Sequence, residues 1–298
     1  VKEDPSVLSR LTVDYRGSVH INYIGGIPED IWARISEVHP TAIVFVLDQS
    51  CSMARGTNLD NVDYDYISDL VAESVNTQIE EFLKKCIAED GTVSHLYDIA
   101  VIGYGNNVRP AWNGALSSEP FHTPMELLSH VPAAGDQFRW VDPKDSDTKG
   151  RSDLAFEYVY KLLSEWTSKE ENRFSYPPTV IHISDGDVKR EYQEPFLLNA
   201  EKIKALHTEN DHVIVWNISY LPLRFKEFVL LSGEELPALT SFPGGLVLYE
   251  ASSYLPGRFK DKASTFHRHN PNLARKTMGV NVRTSVLFDV LQMCVLPE

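Results

Sequence analysis

Thr41-Ala42-Ile43-Val44-Phe45-Val46-Leu47 is an apolar run rich in β-branched side chains. It is too short for a buried helix, so it predicts a strand covered on both faces, of the kind found in the middle of a parallel sheet. From Ile67 to Cys86, Leu70, Val71, Val75, Ile79, Phe82 and Leu83 recur at three- and four-residue steps. That spacing predicts an amphipathic helix, opened by a turn carrying Asp60, Asp63, Asp65 and Asp69 where acids complement the helix dipole.

The alternation continues to residue 255. Tyr97 to Tyr104 predicts a second buried strand, and Gly105-Asn106-Asn107 a turn into a short partner strand over Val108 to Trp112. Leu154 to Trp166 predicts a helix, Thr179 to Ser184 a strand ending at Asp185-Gly186-Asp187, residues 196–207 a helix and His212 to Ile218 a strand. Leu246-Val247-Leu248-Tyr249 is read as the last strand. Strands alternating with helices of this length predict an α/β fold, a doubly wound, mostly parallel central sheet flanked by helices. The domain is placed at 38–255. Residues 1–37 form an N-terminal extension, with a hairpin over Val19 to Tyr23 and Gly25-Gly26 and a short helix from Pro28 to Ser36. Residues 256–298 form a basic C-terminal extension ending in a helix over Val282 to Cys294.

Composition changes this picture only at the edges. The 298 residues are 43% hydrophobic and 23% charged, enough to bury a core without a stabilising metal or disulfide. A net charge of −14 argues against a nucleic-acid partner, which needs clustered positive charge. Cys51, Cys86 and Cys294 are far apart and odd in number, so a reducing compartment is expected. No apolar run reaches transmembrane length and Val1 to Pro5 has no signal-like apolar region, so the expected location is cytoplasmic, away from membranes. Between Arg258 and Arg283 seven Lys and Arg stand against one acid, Asp261. That segment suits either an anionic partner or the chain's own acidic surface.

The candidate chemistry lies where strands end. Ligands of open α/β sheets sit at the carboxyl ends of the strands, and two of the predicted strands end at Asp48 and Asp185. Along an extended loop, Asp48, Ser50 and Ser52 point to one side and Gln49 and Cys51 to the other. Carboxylates and hydroxyls are hard oxygen donors suited to Mg²⁺ and compatible with Mn²⁺ or Ca²⁺. The competing reading is that Asp48 and the serines cap a following helix.

Asp48-x-Ser50-x-Ser52 after an apolar strand, a hydroxyl at a helix start and then Ile183-Ser184-Asp185-Gly186 resemble the metal-ion-dependent adhesion site of von Willebrand factor A (vWA) domains. The resemblance covers residues 38–255 and implies a vWA/Rossmann-like fold. It assigns the metal to Asp48, Ser50, Ser52, Ser152 and Asp185. The family's second loop reads Gly-x-Thr, whereas this chain reads Gly150-Arg151-Ser152, so the Thr role passes to Ser152 with Thr148 in reserve.

Two carboxylates and three neutral hydroxyls just balance a divalent cation, leaving water to complete its shell. One such water can give way to a Glu or Asp of a partner protein, and the resemblance implies the same docking mode. It points to a stand-alone prokaryotic adaptor in a bacterial stress or phage-defence complex, with a phosphatase or kinase as partner. The alternative is an adaptor for a MoxR- or chelatase-type AAA+ ATPase. An enzyme needs a base near the ion. His182, in mid-strand, reads as a packed core residue, and Asp187 as a cap or partner contact. A phosphohydrolase acting through Asp48 wants a second Asp where Ser50 stands. Cys51 is read as a small side chain tucked under the loop. Trp112, Trp140 and Trp166 are read as core.

Overall fold

The computed structural model describes residues 8–13, 19–24, 34–56, 66–132, 138–144, 149–221, 226–259, 263, 273–283, 285–287 and 289. The chain divides into two units, residues 1–32 and 33–298. In the first, β1 (Leu8–Val13) and β2 (Val19–Ile24) pair antiparallel, Leu8 opposite Ile24 and Val13 opposite Val19. The strand expected at Val19 thus pairs with the segment before it; Gly25 and Gly26 lie outside the described residues. So does most of the helix expected over Pro28 to Ser36. Ser36 itself lies in a tight turn, exchanging backbone bonds with His39 at 3.0 and 3.2 Å.

The second unit follows the predicted alternation. Its elements are β3 (Thr41–Asp48), α1 (Ile67–Cys86), β4 (Tyr97–Tyr104), β5 (Val108–Pro110), β6 (Phe121–His122), α2 (Pro124–Ser129) and α3 (Ser152–Ser168). Then come β7 (Thr179–Ser184), α4 (Arg190–Ala205), β8 (Ile214–Ser219), β9 (Phe228–Val229), α5 (Leu236–Leu239), α6 (Gly245–Ala251) and β10 (Met278–Val280). The sheet order is β5-β4-β3-β7-β8-β10-β9, with β6 also on β4. The five central strands β4, β3, β7, β8 and β10 are parallel, and β5, β6 and β9 are antiparallel.

The period-two geometry of β3 explains why both faces carry helices. Ile43, Phe45 and Leu47 join the core with Val71, Val75, Ile79 and Phe82 of α1. Ala42, Val44 and Val46 point the other way, into a core with Phe156, Val159 and Leu163 of α3 and Phe196 and Ala200 of α4. Every residue of β3 is buried, as its continuous apolar run requires. Trp112, Trp140 and Trp166 are buried as well. No helix among the described residues is long and apolar enough to cross a membrane.

Two expectations are corrected. Leu246-Val247-Leu248-Tyr249 belongs to helix α6, not to a strand. A short apolar run cannot separate a strand from a buried helix by periodicity, and here the Leu248 and Ser252 N–H groups close helical bonds to Gly244 and Leu248. The last parallel strand is instead β10, inside the basic segment, paired with β8 through Met278–Asn217 and Val280–Ser219. The boundary drawn at 255 therefore cuts the sheet. The segment 256–298 supplies one of its strands. Of the helix expected over Val282 to Cys294, residues 285–287 and 289 are helical and the rest lies mostly outside the described residues.

Candidate metal centre

After β3 the chain runs to β4 on one side, then returns across β3 to β7 on the other. The connections leaving β3 and β7 part in opposite directions, opening a crevice at their carboxyl ends. Asp48 and Asp185 sit at those two ends and are 4% and 3% exposed.

The first loop is folded by its own polar atoms. Ser50 N–H donates to Asp48 Oδ1 at 2.8 Å, and Ser50 Oγ lies 2.9 Å from Ser52 Oγ. A short 3-10 turn follows over Cys51–Ala54, with Ser50 at its N-cap, yet the Ser50 side chain makes no capping bond to it. Ser50 therefore does not serve the turn as a cap; its hydroxyl turns to Ser52 instead. Cys51 is exposed, which corrects the expectation of a tucked thiol. The alternation that turns residues 48, 50 and 52 inward turns residue 51 to solvent. Gln49 escapes that rule, being buried against Gly103, where an added Cβ would meet Gln49 Oε1 and Cδ.

The second loop passes directly over Asp48. A Cβ on Gly150 would lie 3.4 Å from both carboxylate oxygens of Asp48 and 3.3 Å from the Tyr104 ring. Arg151 N–H bonds Gly105 O at 3.0 Å and pins the loop to the end of β4. This brings the first residue of α3, Ser152, to the same edge, 4% exposed. Thr148 lies outside the described residues.

The third loop turns at Gly186, whose φ of +80° favours glycine. A Cβ there would also meet Leu221 Cδ2 at 2.7 Å. Asp185 Oδ1 accepts the Asp187 N–H at 3.1 Å. Asp185 Oδ2 is buried without a hydrogen bond, and its charged neighbour is Arg55 Nη1 at 3.6 Å. Asp187 itself pairs with Lys189.

The electrostatics register what these loops bring together. Burial, and next the charge of Asp185, push the Asp48 carboxyl up to about 7, against hydrogen bonding by Ser50 and Tyr104 that favours the ionised form. Two buried acids, one with a carboxylate oxygen that accepts no hydrogen bond and faces only the half-exposed Arg55, form a site short of positive charge. A hard divalent cation fits that deficit, with Asp48, Ser50, Ser52, Ser152 and Asp185 as the donors at hand. Among the described residues no three His, Cys, Asp or Glu side chains converge on one point, so hydroxyls are needed to complete any shell.

Two contributors carry no signal in the sequence, Tyr104 and the Arg55 contact with Asp185; Gly150 stands there as part of the second-loop motif, without its approach to Asp48. His182 is fully buried, as read, but not idle. Its Nε2 lies 2.8 Å from the Tyr104 hydroxyl and its Nδ1 2.8 Å from Asn217 Oδ1. Asn217 Nδ2 donates on to Ser252 Oγ at 2.9 Å. Burial holds His182 down at about 4, so the ring is neutral and supports the Tyr104 hydroxyl behind Asp48. Helical and strand periodicity carry no signal for such a cross-strand chain.

No protein-family model matches the chain. A curated relative, the non-homologous end joining protein Ku of Pseudomonas syringae pv. tomato, is 26% identical over 106 residues. The match covers 36% of this chain and spans only 30% of that relative's length. Similar solved structures include proximal thread matrix protein 1 from the mussel byssus with a zinc-occupied MIDAS motif, 13% identical with a TM-score of 0.35. That match covers 62% of this chain and 37% of the mussel protein. Another is the von Willebrand factor type A protein of Catenulispora acidiphila, 10% identical with a TM-score of 0.34, covering 61% of this chain and 34% of that one.

Proposed function

We propose that this chain is a vWA-type adaptor that docks an acidic side chain of a partner protein through a divalent cation, Mg²⁺ in the first instance, at the crevice between β3 and β7. Asp48 and Asp185 would supply the charge, and Ser50, Ser52 and Ser152 the neutral oxygens. The observation that carries the reading is the Asp185 Oδ2 atom, buried and without a hydrogen-bond donor, facing a second buried carboxylate. A buried carboxylate is retained when a partner ion compensates it. A cation held by these residues would supply Lewis acidity toward an outside carboxylate.

The non-catalytic part of the proposal is supported by the neighbouring bases. His182 is enclosed by Tyr104, Asn217, Phe156 and Phe196, with both ring nitrogens occupied, and it is shut off from solvent. Asp187 is engaged by Lys189. Neither is poised to activate water at the crevice. On this reading the partner is a protein, a phosphatase, kinase or AAA+ ATPase, and the setting a bacterial cytoplasmic complex.

The test is capture of partners by the tagged full chain with Mg²⁺, with EDTA, and with Mg²⁺ restored, beside a generic phosphatase assay. Capture should be lost in EDTA, regained with Mg²⁺, and absent in Asp48→Ala. An Asp48→Ala chain that still captures its partner while losing a hydrolytic activity present in the wild type would sink the adaptor reading.

A further inference from the structure

Arg55 leaves the metal loop at a fixed point. Its backbone N–H donates to Ser52 O at 3.2 Å and its carbonyl accepts the Ile67 N–H at 3.0 Å, so both the loop and the head of α1 hold it. From there the side chain brings Nη1 to 3.6 Å from Asp185 Oδ2. The contact is lopsided, because the Arg55 side chain is 52% exposed and that of Asp185 1%. At that distance it is an ion pair without a hydrogen bond, and Asp185 Oδ2 still lacks a donor. Two other cations of this edge are committed elsewhere. Arg151 grips Asp153 with two bonds of 2.9 and 2.8 Å and stacks on Tyr192, and Lys189 pairs with Asp187. Among the described residues Arg55 has its ion pair with Asp185 alone.

We propose that Arg55 is the resident counter-cation of Asp185, that a divalent cation displaces it, and that the released guanidinium then binds a second carboxylate of the docked partner. This rests on the metal-docking reading above and sharpens the partner's chemistry to a segment with two neighbouring acidic side chains. A guanidinium and a divalent cation seek the same oxygen and repel each other. The metal forms the shorter contact, about 2.0–2.1 Å for Mg²⁺, while a half-solvated Arg gives up little on leaving. With the metal in place, Asp48 and Asp185 would be neutralised and, among the described residues, Arg55 would have no other acid partner. Its planar fork suits a carboxylate. Lys189, itself paired with Asp187, lies near enough to sense the charges of both Asp185 and Arg55.

The experiment uses the full chain and Arg55→Gln, with Mn²⁺ binding followed by electron paramagnetic resonance. Removing a like charge from the mouth should tighten Mn²⁺ by about three- to ten-fold, less at high salt. The melting temperature of the metal-free chain should fall, and that of the Mn²⁺-saturated chain should not. In a second arm the Mg²⁺-loaded proteins are titrated with the blocked peptides Gly-Glu-Glu-Gly and Gly-Glu-Gln-Gly. The wild type should prefer the doubly acidic peptide and Arg55→Gln should not. Mn²⁺ affinity unchanged or weakened in Arg55→Gln overturns the counter-cation, and equal binding of the two peptides, or none, overturns the second carboxylate. A wild type that binds no Mn²⁺ removes the docking reading itself.

Discussion

Asp48 and Asp185 leave adjacent parallel strands, Leu47 in register with Ile183, and end as two buried carboxylates on one crevice. Without a cation the charge of Asp185, after burial, makes Asp48 harder to ionise and holds its carboxyl at about 7. Asp185→Asn removes one of the opposed charges but also the acid that Arg55 faces, so in EDTA it should melt close to the wild type. In saturating Mg²⁺ the wild type should melt higher. The wild type gains about 2.7 kcal/mol at a hundredfold excess over Kd, and the variant gains nothing. Differential scanning fluorimetry with and without Mg²⁺ reads both halves. A mutant stabilised by Mg²⁺ as much as the wild type would show that Asp185 is no ligand.

The second prediction concerns acid stability. His182 is held at about 4 by burial, with Asn217 pulling partly the other way, against an unfolded value near 6.5. Its folded pKa is depressed, so the unfolded chain binds the extra proton first. The associated stability is complete above about pH 6.5 and is lost as pH falls toward 4. Between pH 7.5 and pH 5 this single group should cost about 2 kcal/mol. Urea denaturation of the wild type and His182→Gln at the two pH values checks it: the variant, less stable at pH 7.5, should show a fall smaller by that amount. Parallel losses in both proteins would assign the acid sensitivity to other groups.

What the sequence made legible, and what it did not, follows from the range of the forces involved. The strands β3, β4, β7 and β8 were readable because a parallel strand buried on both faces must be apolar throughout. The helices α1 and α3 were readable because one face must repeat near 3.6 residues. Leu246 to Tyr249 failed because four apolar residues satisfy either rule. Met278–Val280 failed because three residues at the margin of a basic stretch satisfy neither; only their pairing with Asn217 to Ser219 makes them a strand. At the candidate metal centre, Asp48, Ser50, Ser52 and Asp185 stand out as a spacing motif at strand ends. Gly150 stands in the second-loop motif, but its approach to Asp48, like the parts of Tyr104 and Arg55, is proximity across loops, and proximity is written in the fold.

Gly150 gives the third prediction. A methyl group there would lie 3.4 Å from each Asp48 oxygen, ordinary contact distance, but on the side from which the second loop closes over that carboxylate. Gly150→Ala should fold normally and lose a few-fold in Mn²⁺ affinity, while Gly150→Val, with two further methyl groups, should lose more than tenfold. Isothermal titration with Mn²⁺, beside circular dichroism to verify the fold, separates the effects. Wild-type affinity in Gly150→Val would mean that the second loop moves away from Asp48 when the metal binds.

Ser152 carries the last prediction, because it stands where the resembled family has Thr. It is the first residue of α3 and is 4% exposed, and it follows Arg151 at the N-cap, whose side chain makes no capping bond. A buried hydroxyl at a helix start, where the first N–H groups point outward, is well placed to offer its lone pairs to a cation. Ser152→Ala removes one neutral oxygen and no charge, so it should weaken Mn²⁺ by about tenfold, on the scale of one hydrogen bond or dative contact to a charged group. Ser152→Thr keeps the oxygen and should bind within a few-fold of the wild type, since Thr is the residue this position resembles. Thr148→Ala should leave binding unchanged. The three variants together discriminate: if Thr148→Ala weakens Mn²⁺ and Ser152→Ala does not, the hydroxyl of the second loop comes from before Gly150 and the assignment to Ser152 is wrong.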